Sequence, residues 1–521
     1  MDRLKRFFTN GLLMTLVALA TRYVSVGFNI YISNKVGAVS MGLFTLISSV
    51  YGFALTVATS GISLATTKLV SEVLGKSQVK NSYDTNGTVS KIMKKSLLLS
   101  LSVSFTAAII LFSCANFIGT SILKDPQTIS SLKILAISLP PIALSSSLGG
   151  YFIAMRHVYK NALTQILSQA LRIYLSIILL SSTLSHDTES ACIAIVSAIT
   201  ASEIISFAFH GILFAMERRK KSELSNGGVV DKHIPSKLFK ITVPVAFSAY
   251  MRSALITVEH LLIPWGLEKS GVGRKASLAA YGTLHSLIFP LILLPSAISS
   301  SFAGLLIPEI SESDAANDSA RIERIVSRVM KTVLIYSIGT AGIMMCLSSE
   351  LAGVLFPQTD SATFIIMIAP LIPVMYLDTS VDSILKGLGY QFYSMVINII
   401  DASLSVILVW ILLPKFGIMG YVITVYFTEI INATLSITKL LIVTKPKVKI
   451  FDWIVKPLAA IIASATIARY ILYSCHSFAQ NRLDIFAHVV LIGSIYFIIL
   501  ILLRAISPKK IKCSVKGFLN A

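Results

Sequence analysis

Apolar runs about 20 residues long, each enough to cross a hydrocarbon core of about 30 Å, recur from residue 11 to residue 503, separated by short polar breaks. They fall at roughly 11–32, 42–67, 96–121, 134–155, 161–183, 190–216, 238–264, 277–307, 329–356, 362–385, 392–413, 418–443, 453–474 and 484–503. In lipid every backbone polar group must be satisfied within the chain, so the pattern predicts an all-α integral membrane protein with about fourteen transmembrane helices. The first run leads straight into further spans, with no small-residue cleavage site ahead of a soluble body. It therefore reads as a retained helix rather than a signal peptide.

Composition agrees with the pattern. Of 521 residues, 55% are hydrophobic and only 13% are charged, against roughly a quarter charged in soluble domains. The net charge of +20, from 45 Lys and Arg against 25 Asp and Glu, would suit a nucleic-acid binder, but its distribution excludes one. With the N-terminus placed in the cytoplasm, the outward side holds only Lys35, Lys124, Lys133, Lys269, Arg274, Lys275, Lys415 and Arg482. Arg22, Arg172, Arg252 and Arg469 lie within spans, and every other basic residue falls in or beside the tails and inward loops. This is the positive-inside asymmetry, and it puts both termini in the cytoplasm. Basic loops such as Arg218-Arg219-Lys220-Lys221 then need anionic headgroups rather than nucleic acid. The five cysteines show no CxxC or Cys/His spacing, so no disulfide framework, metal site or cofactor is expected.

The chain also repeats itself at an offset of roughly 225 to 240. Ser71-Glu72 recurs as Ser311-Glu312, Arg22 is echoed by Arg252, and Ala201-Ser202-Glu203-Ile204-Ile205 by Phe427-Thr428-Glu429-Ile430-Ile431. Pro140-Pro141, opening the fourth span, has Pro370 and Pro373 opposite it. Six spans return the chain to its starting side, so the two repeats should be related by a pseudo-two-fold axis along the membrane normal. The expected organisation is a six-helix bundle over 1–216, a cytoplasmic linker over 217–237 and a second six-helix bundle over 238–443. Two extra spans and a basic tail complete the chain over 444–521. Two bundles facing a central cavity suit alternating access.

Several segments resemble a known family. Thr21-Arg22, Asn29-Ile30-Tyr31-Ile32-Ser33, Val36-Gly37-Ala38 and Met41-Gly42-Leu43-Phe44 are similar to the opening of the stage V sporulation protein B group. So are Ser60-Gly61-Ile62, Lys68-Leu69-Val70-Ser71-Glu72, Met251-Arg252-Ser253-Ala254-Leu255, Val258-Glu259-His260-Leu261-Leu262-Ile263-Pro264, Tyr281-Gly282, Phe289-Pro290-Leu291, Leu306-Ile307-Pro308-Glu309-Ile310-Ser311-Glu312 and Lys386-Gly387-Leu388-Gly389. The resemblance runs over about residues 10–500. It places the chain in the multidrug/oligosaccharidyl-lipid/polysaccharide exporter superfamily, beside the MurJ-like lipid II flippases. It implies translocation of an undecaprenyl-type lipid-linked sugar diphosphate, lipid II above all, across the bacterial cytoplasmic membrane, for peptidoglycan or spore cortex. One departure bears on the substrate. Where the family carries an arginine in its first helix, this chain has Ser25, Phe28 and Asn29, so Asn29 is the candidate for that position.

Ionisable groups inside spans are costly and mark function first. Arg22 and Arg252 occupy corresponding places in the repeats, and a guanidinium pairs with phosphate oxygens through charge-assisted hydrogen bonds, so the pair could grip a diphosphate. Snorkelling or a buried ion pair is the other reading. Glu259 lies two helical turns beyond Arg252 on the same face, as an internal partner or a protonatable switch, with His260 beside it as a packing residue or relay. Asp378, Asp382 and Lys386 form one stripe at i, i+4 and i+8, either a self-neutralising ladder or a site coupling transport to a proton or sodium. Glu203 and Glu429 are expected to be held by neighbouring hydroxyls, and Asp401 and Arg172 carry no assignable partner. Gly61, Pro140, Pro141, Pro244, Pro290, Pro295, Pro370 and Pro373 are candidate kinks and hinges.

No catalytic residue is assigned. A membrane glycosyltransferase or polymerase would need acidic metal ligands or a catalytic base in a sizeable external loop. The outward loops are short and acid-poor, 184–189 offering Asp187 and Glu189 and 265–276 offering Glu268, with no phosphate loop or nucleophile elbow. Another polysaccharide or multidrug exporter, or a scaffold without transport, are the remaining alternatives.

Overall fold

A computed structural model describes residues 2–77, 85–182, 188–222, 234–316, 318–356, 361–474 and 481–505. Most of the linker, with Asn226-Gly227-Gly228, lies outside them, as do Asp187, Cys475 and Cys513. The described residues are helical nearly throughout and contain no strand. Apolar side chains stand open along many helices, among them Ile110 and Phe117, then Leu483 and Phe486. Water would not tolerate such surfaces, but lipid solvates them.

Among the described residues, twelve segments are long and apolar enough to cross a membrane. The expected count of fourteen is not confirmed. At the N-terminus α1 (Asp2–Thr59) holds the first expected span and the start of the second, and the two are divided at Gly37, within the expected break. The apolar stretch Leu19–Leu74, which continues past α1 into the next helix, has 56 residues, enough for two crossings of a core of about 30 Å. Gly37 turns the chain there. Its φ of 82° with ψ of 165° is a conformation that essentially only glycine adopts.

The helices pack into two compact units. One comprises Val39–Pro264 with Arg6–Thr21, the other Arg22–Ala38 with the chain from Trp265 onward. In the first, α2 (Ile62–Ser77), α3 (Thr85–Phe117), α4 (Thr128–Ala154), α5 (Val158–Ser182) and α6 (Thr188–Ser222) are joined by most of α7 (Ile234–Lys269). Their shared core gathers Ala65, Leu69, Ile92, Met93, Leu148, Phe152 and Leu238. Small residues bring the backbones close, as is general where lipid replaces the hydrophobic effect between helices. A Cβ on Gly150 would stand 2.6 Å from the Ser63 carbonyl, and Thr67 Oγ1 donates to the Gly150 carbonyl at 3.0 Å. Pro140 and Pro141, expected at the opening of the fourth span, instead lie inside α4, which continues past them for more than three turns.

The second unit continues with α8 (Arg274–Gly282), a π turn over Thr283–Ile288, α9 (Phe289–Leu293), α10 (Ser296–Ala315), α11 (Ser319–Cys346), α12 (Ser348–Leu355), α13 (Ser361–Ile368), α14 (Ile372–Gly387), α15 (Gln391–Phe416), α16 (Ile418–Thr444), α17 (Lys456–Ser474) and α18 (Arg482–Leu502). The eighth expected span is therefore broken once, at Leu294 and Pro295, with Arg274–Leu293 continuous before the break. The last two helices dock on α11 at glycine notches. The Tyr496 ring fills the space beside Gly339, Ile461 fills that beside Gly342, and Tyr496 donates its hydroxyl to the Ile335 carbonyl at 2.8 Å.

Candidate functional site

In the first unit α7 presents two faces. Tyr250, Ser253 and Thr257 lie on one side and donate to the Val57 carbonyl at 3.0 Å, to Thr56 Oγ1 at 3.1 Å and to the Ser49 carbonyl at 3.2 Å. This seam holds α7 against the 39–59 arm of α1. At 100° per residue, Arg252 and Glu259 fall on the opposite side, together and away from the seam, as their seven-residue spacing requires. Arg252 is exposed and Glu259 half-buried. His260 falls toward the seam, half-buried.

Two ion-pair networks of this unit bind residues that are distant in sequence. Arg172 Nη2 donates to Glu203 Oε1 at 2.7 Å, and Ser168 adds a hydrogen bond at 3.1 Å. Glu203 is thus held by a hydroxyl and, beyond that expectation, by an arginine, which gives Arg172 its partner. At the other end of α6, buried Glu217 receives the Lys160 ammonium at 2.6 Å, His157 Nδ1 at 3.1 Å and the Tyr151 hydroxyl at 3.2 Å. Neither group of partners was readable from the sequence, because they lie 31 to 66 positions apart and only the packing of α4, α5 and α6 joins them.

In the second unit Arg22 and Asn29 share one face of α1 at a spacing of seven, both half-buried. Arg22 and Tyr23 lie within electrostatic reach of Tyr376. Tyr376 and Tyr336 stack with ring centroids 6.2 Å apart and cap the interruption between α9 and α10. The Tyr376 hydroxyl donates to the Ile292 carbonyl at 2.6 Å and that of Tyr336 to the Pro295 carbonyl at 3.0 Å. Pro295 has no amide hydrogen and breaks the helical ladder, so these phenols supply donors to carbonyls at the break.

The α14 stripe separates into two parts. Lys386 Nζ meets Asp382 Oδ2 at 2.5 Å, the self-neutralising ladder in its simplest form. Asp378 is different. Its Oδ2 accepts from Asn432 Nδ2 on α16 at 3.4 Å, with Ser436 one turn on. Its Oδ1 is buried without a hydrogen bond. A buried carboxylate oxygen left unpaired is costly, and a proton or a small cation would relieve it. Asp401 on α15 lies within electrostatic reach. Among the described residues no group of three or more His, Cys, Asp or Glu side chains is arranged to hold a metal ion.

The profile of a family described as polysaccharide biosynthesis protein matches residues 7–314. Stage V sporulation protein B of Bacillus subtilis (strain 168) is 23% identical over 522 residues, covering 98% of each chain. Among solved structures, the lipid II flippase MurJ in an inward closed conformation superposes with a TM-score of 0.67 over 94% of this chain and 98% of that one, at 15% identity. An inward-facing multidrug resistance MATE family transporter of the MOP superfamily gives a TM-score of 0.64, covering 82% of this chain and 96% of that one, at 12% identity.

Proposed function

This chain belongs to the polysaccharide biosynthesis protein family, and from that premise we propose that it is a flippase carrying a lipid-linked sugar diphosphate across the bacterial cytoplasmic membrane by alternating access. Lipid II, for peptidoglycan or spore cortex, is the proposed cargo. Residues 1–216 and 238–443 are in this reading the two six-span repeats, with both termini cytoplasmic.

The observation that carries the proposal is an arginine within an apolar helix of each unit, Arg22 and Arg252. Such groups are functional by default, and the cargo's diphosphate is the chemistry a guanidinium recognises. Asn29, one face with Arg22, is the proposed contact for the sugar or diphosphate. Glu259 is the proposed partner that orients Arg252, and His260, on the seam side of α7, is the proposed packing residue or relay beside it. Asp378 is the proposed coupling group for a proton or sodium, because Asp382 is already matched by Lys386. The fold shared with a multidrug transporter supports a second reading, export of a cationic drug.

Reconstituted vesicles offered fluorescent lipid II, a second undecaprenyl-linked sugar and a cationic drug separate these readings. Lipid-linked sugar should be translocated and the drug should not. Arg22→Ala and Arg252→Ala should each reduce flipping at least tenfold in well-folded protein, and the proposal fails if both retain the wild-type rate. Asp378→Asn should remove the dependence of flipping on the proton or sodium gradient, whereas Asp382→Asn should leave it.

A further inference from the structure

The segment joining α16 to α17 reads Lys445-Pro446-Lys447-Val448-Lys449-Ile450-Phe451, and over 445–449 it forms no helix. The left-handed φ of 44° at Lys445 ends α16, and Pro446 cannot restart it. Along the segment lysines interleave with Val448 and lead into Ile450 and Phe451, and both kinds of side chain are open. Lys447 is 84% exposed, Ile450 63% and Phe451 65%.

The segment connects two helices that qualify as spans, so its backbone lies at the depth where hydrocarbon meets headgroups. Apolar side chains left uncovered there are solvated by acyl chains, and ammonium groups on flexible stems reach up to phosphates. The local charge favours anions. Two acids stand nearby, and each already faces a lysine: Asp452 with Lys456 at 2.5 Å and Glu323 with Lys447 at 3.8 Å. Lys449 and Lys331 also lie within electrostatic reach of Asp452, so cations remain in excess. Behind the segment Trp453 is buried, which anchors the π turn Phe451–Val455 and fixes where the open residues stand.

We propose that Lys445, Lys447 and Lys449, with the open Val448, Ile450 and Phe451, form a binding surface for anionic phospholipid, holding the headgroup phosphates on the lysines and the upper acyl chains on the apolar side chains. The site is separate from Arg22, Arg252 and Asp378 and uses none of them.

The test titrates the full-length protein in an uncharged detergent with phosphatidylglycerol or with phosphatidylcholine, and counts retained lipids by native mass spectrometry. Phosphatidylglycerol should be retained at concentrations where phosphatidylcholine is not. The triple variant K445Q/K447Q/K449Q should weaken retention about tenfold or more, since each basic residue at an anionic surface contributes roughly a fivefold factor. The triple Lys→Arg variant should retain it. The double variant I450S/F451S should weaken retention with the charge unchanged, and it carries the test alone where the glutamine variant fails to fold. Equal retention by wild type and the folded glutamine variant overturns the proposal. Displacement of the lipid by inorganic phosphate alone marks a simple anion site and overturns it as well.

Discussion

Two interrupted helices, one in each unit, solve the same problem by different means. At the first, α1 gives way to α2 at Ser60 and Gly61, and the chain turns through a φ of +80°. At the second, α9 gives way to α10 at Leu294 and Pro295. The two breaks stand at an offset that matches the sequence repeat. Gly61 is sealed by shape, because the Thr242 backbone of α7 closes onto it so tightly that a Cβ would lie 2.7 Å from the Thr242 carbonyl. Pro295 is sealed by chemistry, with two tyrosine hydroxyls on the carbonyls at the break. A break closed by fit tolerates no added atom, whereas one closed by hydrogen bonds can lose them one at a time. The first behaves as a fixed joint and the second as an adjustable one.

The sharpest way to break this contrast is Gly61→Ala. A residue with a Cβ in a left-handed conformation costs about 1–2 kcal/mol, and overpacking against a neighbour adds typically 1–3 kcal/mol. Together these should lower stability by about 3 kcal/mol and drop the apparent melting temperature of the detergent-solubilised protein by several degrees. An unchanged melting temperature would show that α7 yields readily and that the joint is not fixed.

These two breaks also show what a sequence exposes and what it conceals. The spans were legible because lipid leaves the backbone few choices, and the ionisable residues within them were legible because they are rare. Gly61 and Pro295 both stood out as candidate kinks, but so did Pro140 and Pro141, which α4 absorbs without ending. Whether a proline breaks a helix depends on what its neighbours offer the freed carbonyls, and Tyr336 and Tyr376 are more than 40 positions from Pro295. The same holds for charge. Asp378 and Arg172 were visible as oddities, but Asn432 and Glu203 became their partners only through packing. The division between the first two expected spans likewise rests on one residue, since Gly37 leaves the helical conformation there.

Tyr376→Phe is the next largest effect. The ring keeps its stacking on Tyr336, while the Ile292 carbonyl loses a buried donor at 2.6 Å. An unsatisfied buried acceptor costs about 1–3 kcal/mol, so a loss of about 2 kcal/mol in thermal or denaturant unfolding is expected, less than at Gly61. If Tyr376→Phe proved as damaging as Gly61→Ala, the second break would be as rigid as the first and the contrast would fail.

Tyr336→Phe should be the mildest of the three, for a reason specific to its acceptor. The Pro295 carbonyl also accepts the Ile298 amide at 3.2 Å, so it keeps one partner when the Tyr336 hydroxyl is removed, and the expected loss is about 1 kcal/mol or less. Because the two phenols share a stacked contact and a single break, their effects should not simply add. The double variant should show a coupling of about 0.5 kcal/mol or more against the sum of the single changes. Strict additivity would mean that the hydroxyls cap independent carbonyls and that the segment from Ile292 to Pro295 does not respond as one unit.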